Sequence, residues 1–173
     1  LGSGASFVAR TIDTDQKHMP GVFTRAHGHT GASLVEILQN CIVYNDDAWT
    51  KVADRKTANE TQLHLKNGEP MIFGMEHEKG IIFNSKTFDL EVAVIGENGV
   101  SEADIIIHDE SNLQLAKMLV ELGSKADEPV AMGVIYAVAG TSYEDAVYKQ
   151  VNSVKSNRKV KDLLYSGETW TID

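Results

Sequence analysis

The sequence contains a single cysteine, Cys41. One thiol excludes any disulfide within the chain, and it favours a reducing compartment such as the cytoplasm. An iron–sulfur site normally takes four thiolate ligands, so this chain alone cannot build one. The spacing motifs of common enzyme sites are also missing from the sequence: it has no glycine-rich dinucleotide or phosphate loop, no nucleophile elbow and no C-x-x-C pair.

Basic residues are few as well, with 16 Lys and Arg against 25 Asp and Glu and a net charge of −9. Phosphate groups would repel such a chain, so we expect no nucleic-acid partner. The one basic stretch, residues 155–161, is interrupted by uncharged residues and is interpreted as a solvated segment after a helix. No window approaches the ~20 apolar residues of a membrane span, and no charged-then-apolar leader opens the sequence. These features predict a cytoplasmic protein with no membrane partner.

Hydrophobic residues make up 42% of the chain, which is typical of a globular protein with a real core. Residues 6–12 have the composition of a strand, and Met19, Val22, Phe23 and Ala26 form one apolar stripe at helical spacing. Residues 33–38 follow as a second strand. The spacing predicts a strand–helix–strand unit with parallel strands. The chain begins abruptly, as though in the middle of such an αβ pattern.

Beyond this unit the pattern is less regular. Residues 41–60 are polar and turn-rich, with a short helix expected over residues 47–53. Residues 61–95 contain several short strand candidates, and Asn67 with Gly68 predicts a hairpin turn between the first two. Residues 104–107 are compatible with one more strand or with the approach to a helix.

Two helices and a buried strand are predicted in the last third. Ser111 and Gln114 have the spacing of a capping box, and Gly123 marks the end of that helix. Residues 129–138 form a continuous apolar run of the buried-strand type. Ser142 is expected to cap the last helix. The fold class is therefore α/β or α+β.

Cys41 is the strongest candidate for chemistry because it follows a predicted parallel strand. Ligand sites gather at the carboxyl ends of such strands, so Cys41 is a candidate metal ligand or nucleophile. The structural alternative is that Cys41 is simply a small buried residue, since free cysteines are most often buried.

The other polar candidates have structural interpretations. His27 and His29 are expected to be exposed imidazoles at the C-terminal end of a helix. Basic side chains are favourable there because they lie near the negative pole of the helix dipole. Residues 108–110 (HDE) stand directly before the predicted cap, where acidic groups favour a helix N-terminus. Glu36 lies in an apolar strand, where it faces a partner helix, a polar network or solvent.

Several segments together resemble the β subunit of 2-oxoacid:ferredoxin oxidoreductases, most closely the 2-oxoglutarate-type branch. The resemblance is dense over the first 46 residues and looser beyond. The segments that carry it are residues 5–10 (ASFVAR), 15–18 (DQKH), 36–41 (EILQNC), 44–46 (YND), 64–73 (HLKNGEPMIF), 107–110 (IHDE) and 129–136 (PVAMGVIY).

This resemblance implies an α/β fold made of two parts. Residues 1–45 correspond to the C-terminal βαβ part of a doubly wound, thiamine-diphosphate-binding domain. Residues 46–173 correspond to an irregular α+β C-terminal extension, expected to serve packing and subunit contacts. The family's G-D-G cofactor motif and its C-x-x-C element do not occur here, so the sequence is expected to represent the C-terminal half of the subunit.

The resemblance also implies cofactors and partners. The complete protein is expected to hold thiamine diphosphate, Mg²⁺ and a 4Fe–4S cluster, with Cys41 as one cluster ligand. The implied reaction is oxidative decarboxylation of a 2-oxoacid with coenzyme A, passing electrons to ferredoxin in a complex with an α subunit. No catalytic or thiamine-diphosphate-binding residue is assigned within these 173 residues, which are expected to bind no cofactor and to be inactive alone.

Three alternatives stay open. One is the pyruvate or branched-chain branch of the same family, since the substrate preference rests on similarity alone. Another is a non-catalytic assembly module of the same fold. The third is a small α/β domain in which Cys41 has only a structural role.

Overall fold

A computed structural model describes residues 1–125, 127–168 and 170–172. The described chain forms two units, Leu1–Gly140 and Thr141–Asp173. The first unit contains β1 (Phe7–Ile12), α1 (Met19–Gly28), β2 (Ser33–Leu38), α2 (Thr50–Ala53), α3 (Ala58–Thr61), β3 (Gln62–His64), β4 (Ile72–Phe73), β5 (Lys79–Asn84), β6 (Asp89–Val94), a 3₁₀ turn (Glu102–Asp104), α4 (Leu113–Glu121) and β7 (Val130–Ala137). The second contains α5 (Tyr143–Val154) and α6 (Val160–Leu164).

The predicted strand–helix–strand unit is confirmed. β1 and β2 pair in parallel, with Phe7 opposite Ser33 and Ile12 opposite Leu38. Pro20 lies in the first turn of α1, where its missing N–H costs no helical hydrogen bond. Val22 is the buried residue of this helix and packs in a cluster with Phe7. Val22 and Ala26 therefore place α1 on the sheet as the spacing predicts, whereas Phe23 of the predicted stripe is exposed.

The main sheet has four strands in the order β2-β1-β7-β3. β7 lies inside it, antiparallel to β1 and parallel to β3. Its first six residues are buried, which confirms the buried-strand prediction. The sheet thus combines β1 and β2 from residues 1–45 with β3 and β7 from residues 46–173. The predicted division of the chain into two domains at residue 45 stays a prediction.

The hairpin predicted at Asn67 and Gly68 is wrong. Gly68 does adopt the positive φ of 79° that a tight turn uses. However, β3 pairs with β7, whereas β4 belongs to a separate three-stranded sheet in the order β4-β5-β6. After the turn, Pro70 forms an isolated bridge with Ile107, which is the only strand-like pairing of the described residues 104–107. Long-range partners therefore override the local hairpin signal.

The predicted helix after residue 111 is confirmed as α4, but its predicted cap is wrong. Asn112 is the N-cap, and its Oδ1 accepts hydrogen bonds from the backbone N–H of Gln114 at 3.0 Å and of Leu115 at 3.1 Å. Ser111 instead donates its hydroxyl to Asp109 Oδ1 at 2.6 Å. Asparagine accepts these bonds as well as serine does, so the helix begins one residue later than predicted.

In the second unit, Ser142 caps α5 as predicted, because its Oγ accepts from Asp145 N at 3.1 Å. The apolar side of this helix is exposed, including Val151 and Val154. The basic stretch over residues 155–161 is exposed as expected. Among the described residues no helix combines the length and apolar character needed to cross a bilayer.

One ion pair ties α1 to the segment before α4. Arg25 donates from Nη1 to Glu110 Oε1 at 2.6 Å and from Nη2 to Oε2 at 2.7 Å. Glu110 is buried, whereas the Arg25 side chain is half exposed. The Glu110 carboxylate raises the pKa of Arg25, chiefly through this hydrogen-bonded fork. Glu110 thus stands just before the N-cap of α4 as predicted, and the Arg25 guanidinium satisfies its charge there.

Replacing Arg25 with methionine should lower the free energy of unfolding by about 2–3 kcal/mol, because Glu110 would be left buried without its partner. This loss of stability is smaller than the loss expected on breaking a fully buried ion pair, because the Arg25 side chain is half exposed to solvent. Urea denaturation would measure the change. The control Lys66→Met breaks the exposed Lys66–Glu69 pair and should cost less than about 0.5 kcal/mol. Equal effects of the two substitutions would contradict the prediction.

Candidate metal-ligand site at the Cys41 loop

Cys41 lies three residues beyond the last residue of β2, Leu38. This is the edge of the sheet at which the parallel strands β1 and β2 both end. Leu38 is buried in a cluster with Ile12, and Trp49 packs against that cluster. The start of the loop is therefore anchored in the core, and Cys41 emerges at the position where parallel sheets present ligand sites.

The loop over residues 39–47, here called the Cys41 loop, is closed by its own polar groups. The backbone N–H of Asn45 donates to the carbonyl of Cys41 at 2.9 Å. The side chain of Asn40 bridges the base of the loop: its Nδ2 donates to Asp46 Oδ1 at 2.9 Å, and its Oδ1 accepts from Asp47 N at 3.0 Å. Asp47 completes the turn with a φ of 63°. These bonds hold the thiol in a defined place.

The thiol of Cys41 is exposed, so the buried alternative is excluded. The backbone N–H of Tyr44 lowers its pKa most, followed by that of Val43, with a smaller contribution from Asn45. The lowered pKa favours the thiolate, which is the form that binds metals. The sequence placed this residue at a strand end, but only the folded turn supplies the donors around it.

The tip of the Cys41 loop is apolar and projects into solvent. Ile42 is 77% exposed, Val43 76% and Tyr44 91%. Behind the loop, a cavity of about 350 Å³ opens between α2 and the residues that follow β1 and β2, among them Asp13 and Asn40. Three consecutive large apolar side chains in solvent are typical of a surface that contacts another molecule.

Among the described residues, Cys41 belongs to no group of three or more His, Cys, Asp or Glu side chains with mutually close ligand atoms. A multidentate metal centre at Cys41 therefore requires ligands from outside this set. The loop can supply one thiolate, a preformed turn around it and an apolar surround.

The two histidines near the end of α1 do not act together. His27 is exposed in the last turn of the helix, as predicted. His29 lies beyond the helix, where its Nε2 forms a 2.8 Å hydrogen bond with Ser6 Oγ and its ring packs on Phe7. His29 is thus at the helix end as predicted, but its ring is half-buried where exposure was expected, because it packs on the start of β1.

Glu36 and His108 also have structural roles. Glu36 faces solvent and also pairs with Arg10, whose Nε donates to Oε2 at 2.6 Å, so the solvent and polar-network alternatives both hold. Arg10 also donates to the carbonyl of Val120 at 3.2 Å. His108 is buried and donates from Nε2 to the carbonyl of Val134 at 2.8 Å, which connects the segment before α4 to β7.

One group of polar residues was missed by the sequence reasoning. Asp15, His18 and His64 each place one potential ligand atom within 4.8 Å of the other two. Asp15 and His18 stand at the start of α1, and His64 ends β3. No spacing motif links residues so far apart, and only the pairing of β3 with β7, and of β7 with β1, brings them together.

No family model matches the chain. The 2-oxoglutarate oxidoreductase subunit KorB of Mycobacterium tuberculosis is 31% identical over the whole chain, and the chain spans 47% of that relative's length. The 2-oxoacid:ferredoxin oxidoreductase subunits beta of Saccharolobus solfataricus and of a Sulfolobus species are 39% and 41% identical over 46 residues. Those matches cover 27% of the chain and 15% of each relative.

Proposed function

The chain is homologous to β subunits of 2-oxoacid oxidoreductases, as its resemblance predicts, and we propose that it forms part of the β subunit of a 2-oxoglutarate:ferredoxin oxidoreductase. In this proposal the complete protein performs oxidative decarboxylation of 2-oxoglutarate with coenzyme A and passes the electrons to ferredoxin. The 2-oxoglutarate preference follows the name of the relative that aligns with the whole chain.

The Cys41 loop is the observation that carries the proposal. We assign Cys41 as one thiolate ligand of a 4Fe–4S cluster, whose other three cysteines come from outside these residues. The residues present fit this role, since the thiol is exposed and backbone N–H groups from residues 43–45 lower its pKa. Hydrogen bonds from backbone N–H groups to cluster sulfurs would also tune the reduction potential.

Each part of the loop has a task in this arrangement. Asn40 holds the turn closed, so that the sulfur stays in position during turnover. Ile42, Val43 and Tyr44 exclude water from the sulfur when the rest of the subunit covers them. A cluster bound there supplies single-electron transfer between the reacting centre and ferredoxin.

Thiamine diphosphate and Mg²⁺ belong to the complete protein in this proposal, and we assign no residue of the present chain to them. The partners are an α subunit, ferredoxin, coenzyme A and the 2-oxoacid, and the compartment is the cytoplasm. The 173 residues alone are proposed to bind no thiamine diphosphate. Isothermal titration of the isolated chain tests this point, and tight Mg²⁺-dependent binding would contradict it.

A dye-reduction assay tests the function. The complete protein is purified without oxygen together with its partner subunit, and 2-oxoglutarate, coenzyme A and a viologen dye are added. We expect dye reduction with 2-oxoglutarate and none with pyruvate, which serves as the matched control substrate. Reduction with pyruvate alone would keep the family and overturn the substrate. No reduction with any 2-oxoacid, from a preparation that contains iron and thiamine diphosphate, would favour a non-catalytic assembly module.

A further inference from the structure

Asp15, His18 and His64 form a compact group at the edge of the main sheet. One ligand atom from each lies within 4.8 Å of the other two. The rings of His18 and His64 meet edge to face, with their centroids 4.9 Å apart. We propose that these three side chains bind a divalent transition-metal ion such as Zn²⁺.

The Asp15 carboxylate is already oriented by the backbone. Its Oδ1 accepts hydrogen bonds from the backbone N–H of Lys17 at 3.2 Å and of His18 at 3.0 Å. These two bonds close the turn that leads into α1 and fix the side chain. Within the part of the chain that the structure describes, no hydrogen bond goes to Oδ2, so that oxygen is free to ligate an ion.

A chain of hydrogen bonds determines which nitrogen of His64 carries its proton. Gln62 donates from Nε2 to the carbonyl of Val52 at 2.6 Å, which leaves its Oε1 as an acceptor. His64 Nε2 lies 2.9 Å from that Oε1 and must therefore donate to it. The lone pair of the neutral ring is then on Nδ1, the atom left for a metal. A ligating histidine in proteins typically donates its other ring N–H in this way.

His18 has a similar partner. Its Nδ1 lies 3.2 Å from the hydroxyl of Thr11, a side chain with no exposed surface in β1. The hydroxyl can accept a hydrogen bond from Nδ1–H, which leaves the lone pair of the ring on Nε2. Both imidazoles thus have one nitrogen engaged by the protein and one nitrogen available.

The surroundings favour the uncharged, ligand-competent rings. Desolvation by the surrounding protein is the largest effect that lowers the pKa of His18, and the same holds for His64 although part of its ring is exposed. The proximity of His18 lowers the pKa of His64 further. A metal must bind deprotonated imidazoles, so the group needs no large proton release to take one up.

The ligand set indicates the kind of ion. Two imidazoles and one carboxylate suit Zn²⁺ and other divalent transition ions, and three protein ligands leave a coordination position open. Ligand atoms around tetrahedral Zn²⁺ are about 3.3 Å apart, so small side-chain rotations close the present spacing. Asp15 and His64 also line a cavity of about 390 Å³, which gives the open position room for a water molecule.

Co²⁺ titration of the full chain tests the site, because nitrogen- and oxygen-ligated Co²⁺ absorbs visible light. The titration uses metal-free protein that carries Cys41→Ser, so that the exposed thiol cannot bind the ion. We expect one Co²⁺ per chain, displaced by Zn²⁺. Asp15→Asn keeps the backbone hydrogen bonds and removes the charged ligand, and His64→Ala removes a partly exposed ring. Each should weaken binding by at least about 100-fold.

His27→Gln is the matched control, because it removes an exposed histidine outside the group. It should bind Co²⁺ as the parent does. Affinity that is equally weak in the parent, in Asp15→Asn and in His64→Ala would overturn the proposal.

A second measurement needs no variant of the three ligands, so misfolding cannot affect it. On addition of Zn²⁺ the ¹⁵N NMR signals of the ring nitrogens of His18 and His64 should shift, and those of His27 should stay unchanged. Unshifted His18 and His64 resonances would also overturn it.

Discussion

Replacing Cys41 with serine should lower 2-oxoacid-dependent dye reduction by the complete oxidoreductase at least about 100-fold. A serine hydroxyl stays protonated, whereas nearby backbone N–H groups, chiefly that of Tyr44, lower the pKa of the cysteine thiol. In our proposal the cluster then loses one of four ligands and is bound weakly or not at all. Anaerobic dye reduction and iron analysis of the same preparation measure the two consequences.

Cys41→Ala is the companion variant, since it shows whether the serine hydroxyl itself has an effect. Both variants should fold normally because the side chain is exposed, and circular dichroism checks this. Unchanged iron content together with an unchanged rate would leave Cys41 with no role in a cluster. It would then be a residue of the turn alone, as the third alternative from the sequence holds.

Replacing Leu119 with alanine should lower the free energy of unfolding of the full chain by about 2–5 kcal/mol. Leu119 has no exposed surface, and it belongs to the core cluster that also contains Leu63 from β3 and Ile135 from β7. The substitution leaves a cavity between α4 and the main sheet. The loss is a large fraction of the stability of an ordinary domain. Urea denaturation should show a lower midpoint with an unchanged slope.

Leu113→Ala is the matched control for this substitution. It makes the same chemical change in the same helix, at a residue that is 36% exposed. Its effect should be within about 0.5 kcal/mol. If both substitutions lowered stability equally, the loss would come from helix propensity or from the unfolded state, and the packing of α4 on the sheet would not explain it.

Local patterns were sufficient for the strand–helix–strand unit of β1, α1 and β2. The apolar stripe of α1 and the two flanking strands were predicted because helical and extended periodicities are properties of a short segment. The buried strand β7 and the cap at Ser142 were predicted for the same reason. The position of Cys41 at the carboxyl end of β2 followed from these elements.

Partner choice between segments could not be predicted in the same way. Asn67 and Gly68 form a turn, but a turn does not determine which strands pair on either side of it. At α4, Ser111 and Asn112 were both competent caps, and the hydrogen bond from Ser111 to Asp109 accompanies the choice of Asn112. In each case a contact that competes with the local signal decides the outcome.

By itself the sequence determined the class of the fold, the parallel unit at its start and the strand end that carries Cys41, because these depend on neighbouring residues. Only the tertiary structure decided that the Cys41 thiol is exposed and that His64 meets Asp15 and His18. The second arrangement depends on the order β1-β7-β3 in the main sheet. That order results from the burial of β7 between two strands, a long-range packing effect that no local pattern contains.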